Sequence, residues 1–121
     1  MDSQLEKYRQ IIKQILMRYA EQISNHGTIA TRPAFDDARN DYLLLDIGWD
    51  ITGRVYSVFL YLYIQSNKIW IEVDGTEEGV AQDLLDANVS NDDIVLGLYR
   101  PRLREQVRSM CMRDDILKME A

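Results

Sequence analysis

A long apolar run between two short turns most limits what this chain can fold into. Residues Arg54–Gln65 alternate between two sets of side chains, and both sets are largely apolar or aromatic. A strand with one face in water alternates apolar with polar residues, so this strand needs cover on both faces. The turns at 50–53 and 66–67 are short, which predicts antiparallel pairing with the strands Asp41–Trp49 and Lys68–Val73.

A helix and an edge strand precede this meander. Apolar residues recur at three- and four-residue steps through Ser3–Ser24, and Ser3 with Glu6 matches a capping box. The segment Thr28–Asp36 has strand character, but Pro33 cannot donate a ladder hydrogen bond. We therefore expect this segment at the edge of the sheet.

Further elements follow the meander. Thr76 is a candidate N-cap for a helix over 77–87, Ile94–Leu98 is a short apolar strand, and Pro101 opens a last helix to about Met112. The expected fold class is α+β: an N-terminal helix, an antiparallel meander of three or four strands, a second helix, a short strand and a C-terminal helix. We expect one domain over residues 1–121, with a frayed tail at 113–121.

Composition gives little support to catalysis. The chain has one cysteine, Cys111, and one histidine, His26, too few for a disulfide, a cysteine-ligated metal cluster or a histidine metal site within one chain. Asp74, Glu77 and Glu78 cluster where a strand meets a helix, which suits either helix capping or a carboxylate-based hydrolase. We favour capping, and we predict no catalytic residue, no metal and no cofactor.

Charge is unevenly distributed along the chain. The net charge is −6, and residues 72–93 hold eight acidic residues with no lysine or arginine. Such a surface repels phosphate backbones. The last predicted helix, between Arg100 and Arg113, is rich in arginine, so a small DNA-binding factor remains the alternative function. Its candidate contacts are Arg100, Arg102, Arg104 and Arg108.

The long strand also indicates a candidate interface. We assign to the core its more uniformly apolar set: Tyr56, Val58, Leu60, Leu62 and Ile64. The opposite face then carries an aromatic patch, which Leu44 extends and whose candidate partner-binding residues are Tyr42, Phe59, Tyr61, Tyr63 and Trp70. Tyrosine and tryptophan are enriched at interfaces. The C-terminal helix could cover this patch, but we favour a second copy of the chain or a partner protein.

The sequence predicts a cytoplasmic protein. No apolar run approaches 18 residues, so no transmembrane helix is expected. Met1–Gln10 has no central apolar stretch, so we expect no secretory signal. The unpaired cysteine agrees with a reducing compartment.

Six short sequence motifs, in their order along the chain, together resemble those of one family, over about residues 4–101. They are Leu5–Ile12, Leu43–Asp50, Gly53–Tyr56, Lys68–Ile71, Asp74–Glu77 and Asn91–Leu96. The chain is similar to the XisI family, the controlling factor for excision of the fdxN DNA element in cyanobacteria. The resemblance implies a small cytoplasmic α+β protein that works with the XisH protein and permits excision by a separate recombinase.

The chain departs from that family pattern in two places. Tyr99-Arg100-Pro101 stands where the family tends to have His-Pro-Pro, and Tyr61 and Tyr63 stand where members tend to have polar residues. Through the resemblance, we expect a non-enzymatic accessory protein with an XisH-like partner. Homo-oligomers are also expected, from the aromatic patch.

Overall fold

The computed structural model describes residues 3–23, 28–101 and 103–104. Helices lie at both ends of a run of strands, and a single 3-10 turn over Asn91–Asp93 precedes the last strand. The elements in chain order are α1 (Ser3–Ile23), β1 (Ile29–Asp36), β2 (Asp41–Asp50), β3 (Gly53–Gln65), β4 (Lys68–Asp74), α2 (Val80–Asp86) and β5 (Ile94–Leu96).

The five strands form one sheet in the order β1-β2-β3-β4-β5. Strands β1 to β4 pair antiparallel, which confirms the predicted meander, and β1 lies at the edge. Ser66 and Asn67, between β3 and β4, both have positive φ, at 57° and 61°, as a type I′ hairpin turn requires. The expectation of a purely antiparallel sheet is wrong, because β5 pairs parallel to β4. The connection through α2 returns the chain to the end of the sheet at which β4 begins, so β5 runs in the same direction as β4.

Helix α1 packs on one face of the sheet, and this layer holds the core. Its buried stripe confirms the predicted periodicity and comprises Tyr8, Ile12, Ile15, Leu16 and Ala20. Helix α2 adds Val80, Ala81 and Leu84 to the same core. The sheet contributes buried side chains from four strands: Tyr42, Leu44, Leu60, Leu62, Ile64, Ile69, Ile71, Ile94 and Leu96.

A β-bulge in β3 reverses part of the predicted face assignment. Leu44 pairs with Leu60 but Leu45 pairs with Val58, so Phe59 is an extra residue without a partner in β2. Beyond a bulge the alternation shifts by one residue. Val58 and Tyr56 therefore leave the core face that Leu60 occupies, and they are 38% and 75% exposed. Their predicted place in the core is wrong.

Helix α2 begins later than predicted. It starts at Val80, with Gly79 at the N-cap, so Thr76 is not the N-cap. Asp74 does the capping instead, because one carboxylate oxygen accepts from the Val80 N–H at 2.9 Å. Its other oxygen accepts from the Thr76 N–H and hydroxyl at 3.0 and 2.6 Å, and the Thr76 oxygen accepts from Gly79 N–H at 3.0 Å. The turn is a linked set of side-chain to backbone bonds.

We expect Asp74→Ala to destabilise the protein more than Thr76→Ala does. Asp74→Ala removes three hydrogen bonds from this turn, including the one to Val80, and we expect a loss of roughly 2–3 kcal/mol. Thr76→Ala removes the hydroxyl that donates to Asp74 and accepts from Gly79 N–H, and it should cost about 1 kcal/mol. Urea unfolding followed by circular dichroism measures both, and equal losses would contradict the central role of Asp74.

The predicted C-terminal helix lies almost wholly outside the described residues. Pro101, Leu103 and Arg104 are helical and described, whereas Arg102 and everything from 105 to 121 lie outside. Cys111 and the predicted frayed tail fall in that part, and His26 lies outside as well. The short strand ends at Leu96 rather than at Leu98.

Candidate functional site: the outer face of the sheet

The face of the sheet opposite α1, hereafter the outer face, is the candidate functional site. Strand register places its side chains, because residues paired across antiparallel strands point to the same side. Leu43 pairs with Tyr61 and Ile47 pairs with Tyr56, all pointing away from the helix side. Among the described residues, only the segment 97–104 crosses towards this face. The outer face divides into two regions with different chemistry.

The first region, the aromatic ladder, consists of Tyr61, Tyr63 and Trp70. The rings of Tyr63 and Trp70 stack with centroids 5.7 Å apart and planes 10° apart, since the two residues are paired across β3 and β4. Tyr61 continues the row at 5.6 Å from Tyr63. The ladder presents three half-buried aromatic groups side by side, a composition typical of interface hot spots.

Acidic residues act on the hydroxyl groups of the two ladder tyrosines. The Tyr61 hydroxyl donates to Asp41 Oδ1 at 2.8 Å. Burial is the largest cause, and this bond the second, that raises the pKa of Tyr61 to about 12. Burial, then the negative charge of Glu72, raises the pKa of Tyr63. Both tyrosines therefore stay protonated and neutral at physiological pH, and the Tyr61 hydroxyl is anchored by Asp41. Anchored rings lose little conformational freedom on binding a partner.

The end of the described chain rests on the ladder. The Arg104 guanidinium lies over the Trp70 ring, with Cζ 5.4 Å from the centroid, and Arg104 Nε donates to the Tyr99 carbonyl at 2.8 Å. Gly97 also packs here, because a Cβ at this position would lie 2.8 Å from Glu72 Oε1. Arg104 is thus a neighbour of the ladder, and its guanidinium is engaged by groups of its own chain.

The second region, the apolar strip, lies along β2 and the first half of β3. Its members are Leu43, Leu45, Ile47, Trp49, Tyr56 and Val58. Leu43, Leu45 and Ile47 are half-buried, whereas Trp49 is 58% exposed. Arg54, paired with Trp49, lies over that ring with Cζ 5.5 Å from the centroid. Ile51, in the turn at the end of the strip, is fully exposed. Sequence reasoning missed the strip, because it placed Tyr56 and Val58 in the core.

Two predicted interface residues lie on the helix side instead. Tyr42 is fully buried, and its hydroxyl donates to Asp37 Oδ1 at 2.7 Å. Phe59 packs against the core and contacts Tyr19 of α1, with ring centroids 6.5 Å apart. Leu44 is also fully buried. Their predicted outward placement is wrong, while that of Tyr61, Tyr63 and Trp70 is confirmed.

The predicted arginine contacts are not brought together by the described part of the chain. Arg100 is exposed, and Arg104 lies over Trp70. Arg102 and Arg108 lie outside the described residues. The DNA-binding alternative therefore gains no geometric support from the residues that the structure describes.

Of the three carboxylates considered for hydrolysis, one stabilises a turn and the other two are exposed. Asp74 makes the turn bonds described above, whereas Glu77 and Glu78 are exposed. Across 3–23, 28–101 and 103–104, no three histidine, cysteine or acidic side chains are grouped so as to hold a metal ion. An open groove of about 490 Å³ has polar lining residues, among them Lys7 and Asn88, and its Tyr8 hydroxyl donates to Asp93 at 2.6 Å.

Comparisons with known proteins give a matching family and similar solved structures. The family model described as XisI protein matches residues 1–109. A solved XisI-like protein from Anabaena variabilis is 30% identical with a TM-score of 0.78, and the match covers 84% of this chain and 94% of that one. No curated protein sequence matches.

A second solved structure is similar over nearly the same share of this chain. It is the fdxN element excision controlling factor XisI from Anabaena variabilis, 37% identical with a TM-score of 0.74. The match covers 87% of this chain and 96% of that chain. None of the described helices is long and apolar enough to cross a membrane.

Proposed function

The chain belongs to the XisI family, and we propose that it is an excision controlling factor that acts by protein contact and not by catalysis. The similarity to the fdxN element excision controlling factor supports the role. The aromatic ladder carries the proposed mode of action, because it offers three half-buried aromatic side chains on a sheet face against which, among the described residues, the segment 97–104 lies at one side only. The partner that the family resemblance implies is an XisH-like protein.

The chemistry of the ladder suits a protein partner better than a phosphate backbone. Asp41 accepts from the Tyr61 hydroxyl, and the negative charge of Glu72 acts on Tyr63, so the two acids place negative charge around the rings. The one arginine described beside it, Arg104, is already stacked on Trp70. A nucleic acid would meet these acids unfavourably, whereas a protein partner can bury the rings and pair with the acids.

We expect Trp70→Ser to abolish capture of the XisH-like protein while leaving the chain folded. Trp70 is half-buried at the surface of the sheet, and loss of such an aromatic anchor typically costs about 2 kcal/mol or more, roughly 30-fold in affinity. The measurement is co-purification of the two proteins when their genes, both taken from the native genome, are expressed together. Circular dichroism checks that the variant is folded.

Gln65→Ala is the matched control in the same hairpin: it removes an exposed side chain next to the ladder but keeps the Gln65 carbonyl, which accepts from Trp70 Nε1 at 3.2 Å. It should leave capture unchanged. Failure of the wild-type chain to capture the XisH-like protein would contradict the proposal, as would unchanged capture by a folded Trp70→Ser variant. Salt-dependent retention of the wild-type chain on DNA would favour direct DNA binding instead.

A further inference from the structure

The apolar strip is a surface distinct from the ladder, and its exposed apolar area is of the size that often has a function on a protein surface. Trp49 and Tyr56 are 58% and 75% exposed, and an aromatic side chain presents about 150–250 Å², so these two alone expose roughly 200–330 Å². Val58 at 38% and the fully exposed Ile51 add to them. The total reaches the several hundred Å² that mark an interaction site.

We propose that the apolar strip is the interface between two copies of this chain, packed sheet against sheet. The dimensions support a second copy. Three strands about 4.8 Å apart and ten residues of β2 at about 3.4 Å each give a face of roughly 14 by 34 Å. This projected area of roughly 480 Å² is more than half of the ~800 Å² per partner of a standard interface, and side chains that stand out from the sheet present more area than the projection.

The edge strand beside the strip helps such packing. The outward residues of β1 opposite the strip are Ala30, Arg32 and Ala34, which pair with Ile47, Leu45 and Leu43, and all three are exposed. The two alanines leave room beside the strip for a facing sheet about 10 Å away, and Arg32 between them can extend its charged end to the rim of an interface. A two-fold interface brings the same surface of both copies together.

Association through strand edges is a poorer route to the same dimer. Pro33 lies inside β1 and cannot donate a ladder hydrogen bond to a neighbouring chain. The other edge, β5, has only three residues. Short edges and edge prolines both oppose strand addition. Face-to-face packing is therefore the route that remains along β1 to β3.

The main competing occupant is the C-terminal segment 105–121 of the same chain. The described chain ends at Arg104 over Trp70, on the β4 side of the outer face. A single helix is about 10 Å wide. It could cover the strip, which lies on β2 and half of β3, but not the outward side of β1 as well, whereas a second sheet can cover all three strands.

Sedimentation of the full chain over micromolar concentrations tests the proposal. Wild type should be a dimer, and Tyr56→Lys and Trp49→Ser should each raise the dimer dissociation constant by roughly 30-fold, because each removes an exposed central aromatic group. Ser57→Lys is the matched control: it puts the same charge one residue away on the opposite face of β3, beside Asp46. It should remain dimeric.

The possible outcomes are distinct. A monomeric wild type overturns the proposal, and so does a folded Tyr56→Lys variant with an unchanged dissociation constant. Unfolding of both aromatic variants, seen by circular dichroism, would mean that segment 105–121 covers the strip, which also overturns it. The ladder is not altered in any of these variants, so loss of the dimer with continued capture of the XisH-like protein separates this inference from the proposed function.

Discussion

Leu44→Ala is expected to lower the free energy of unfolding by roughly 2–5 kcal/mol. Leu44 has no exposed surface, and it pairs with the fully buried Leu60 under α1. Removing three carbon atoms there leaves a cavity that surrounding side chains fill only in part. Urea unfolding at a fixed protein concentration measures the loss as a shift of the midpoint at constant slope.

Leu43→Ala is the internal control for this prediction. It makes the same chemical change one residue earlier on the same strand, but Leu43 is half-buried on the outer face. We expect a loss of roughly 1 kcal/mol, since less apolar surface is returned to water. Equal losses from the two substitutions, or a larger loss at Leu43, would contradict the assignment of Leu44 to the core face.

The second large effect is expected at Gly48, where β1 and β2 begin their pairing. A Cβ on Gly48 would lie 2.0 Å from the Thr28 carbonyl oxygen and 2.7 Å from Ile29 Cα, both backbone atoms. Gly48→Ala must push this backbone away and weaken the bond from Trp49 N–H to the Thr28 oxygen, now 3.3 Å. Overpacking and the lost bond together should cost roughly 2–4 kcal/mol.

Gly97→Ala provides the comparison for Gly48→Ala. Its new methyl group would lie 2.8 Å from Glu72 Oε1, the free end of a flexible side chain, and at least 3.3 Å from Trp70 and Ile71. Glu72 can rotate aside, so the loss in unfolding free energy should be about 1 kcal/mol or less. Thermal unfolding of both variants is the measurement. A stable Gly48→Ala protein would mean that the start of β1 is not held as described.

Turn residues and hydrophobic periodicities, which are local in sequence, were sufficient to predict most of the helices and strands. The stripe of α1, the meander and the edge position of β1 follow from residue spacing and from Pro33. The parallel pairing of β5 depends on where the α2 crossover delivers the chain, which no local pattern encodes. The start of α2 depends on Asp74, six residues upstream of Val80, reaching forward across the turn.

The face assignment failed at the bulge for a similar reason. From Val55 to Ile64 the only clearly polar residue is Ser57, so the sequence marks no position at which the alternation shifts. The bulge at Phe59 exists because Leu44 and Leu60 pair while Phe59 packs beside Tyr19 of α1. The ladder residues Tyr61, Tyr63 and Trp70 lie beyond the bulge, which is why their predicted face is correct.

The strand order has a consequence for how the chain folds. Each strand from β1 to β4 pairs with the strand made just before it, so three hairpins can close in turn with short loops. Such local pairing favours fast folding. Helix α1 is different, since it is made first but packs on β1 to β3 and on α2, all made later. Until the sheet is present, Ile12 and Leu16 have no surface to pack on, so a growing chain carries an exposed apolar stripe on this helix that a nascent-chain chaperone can bind.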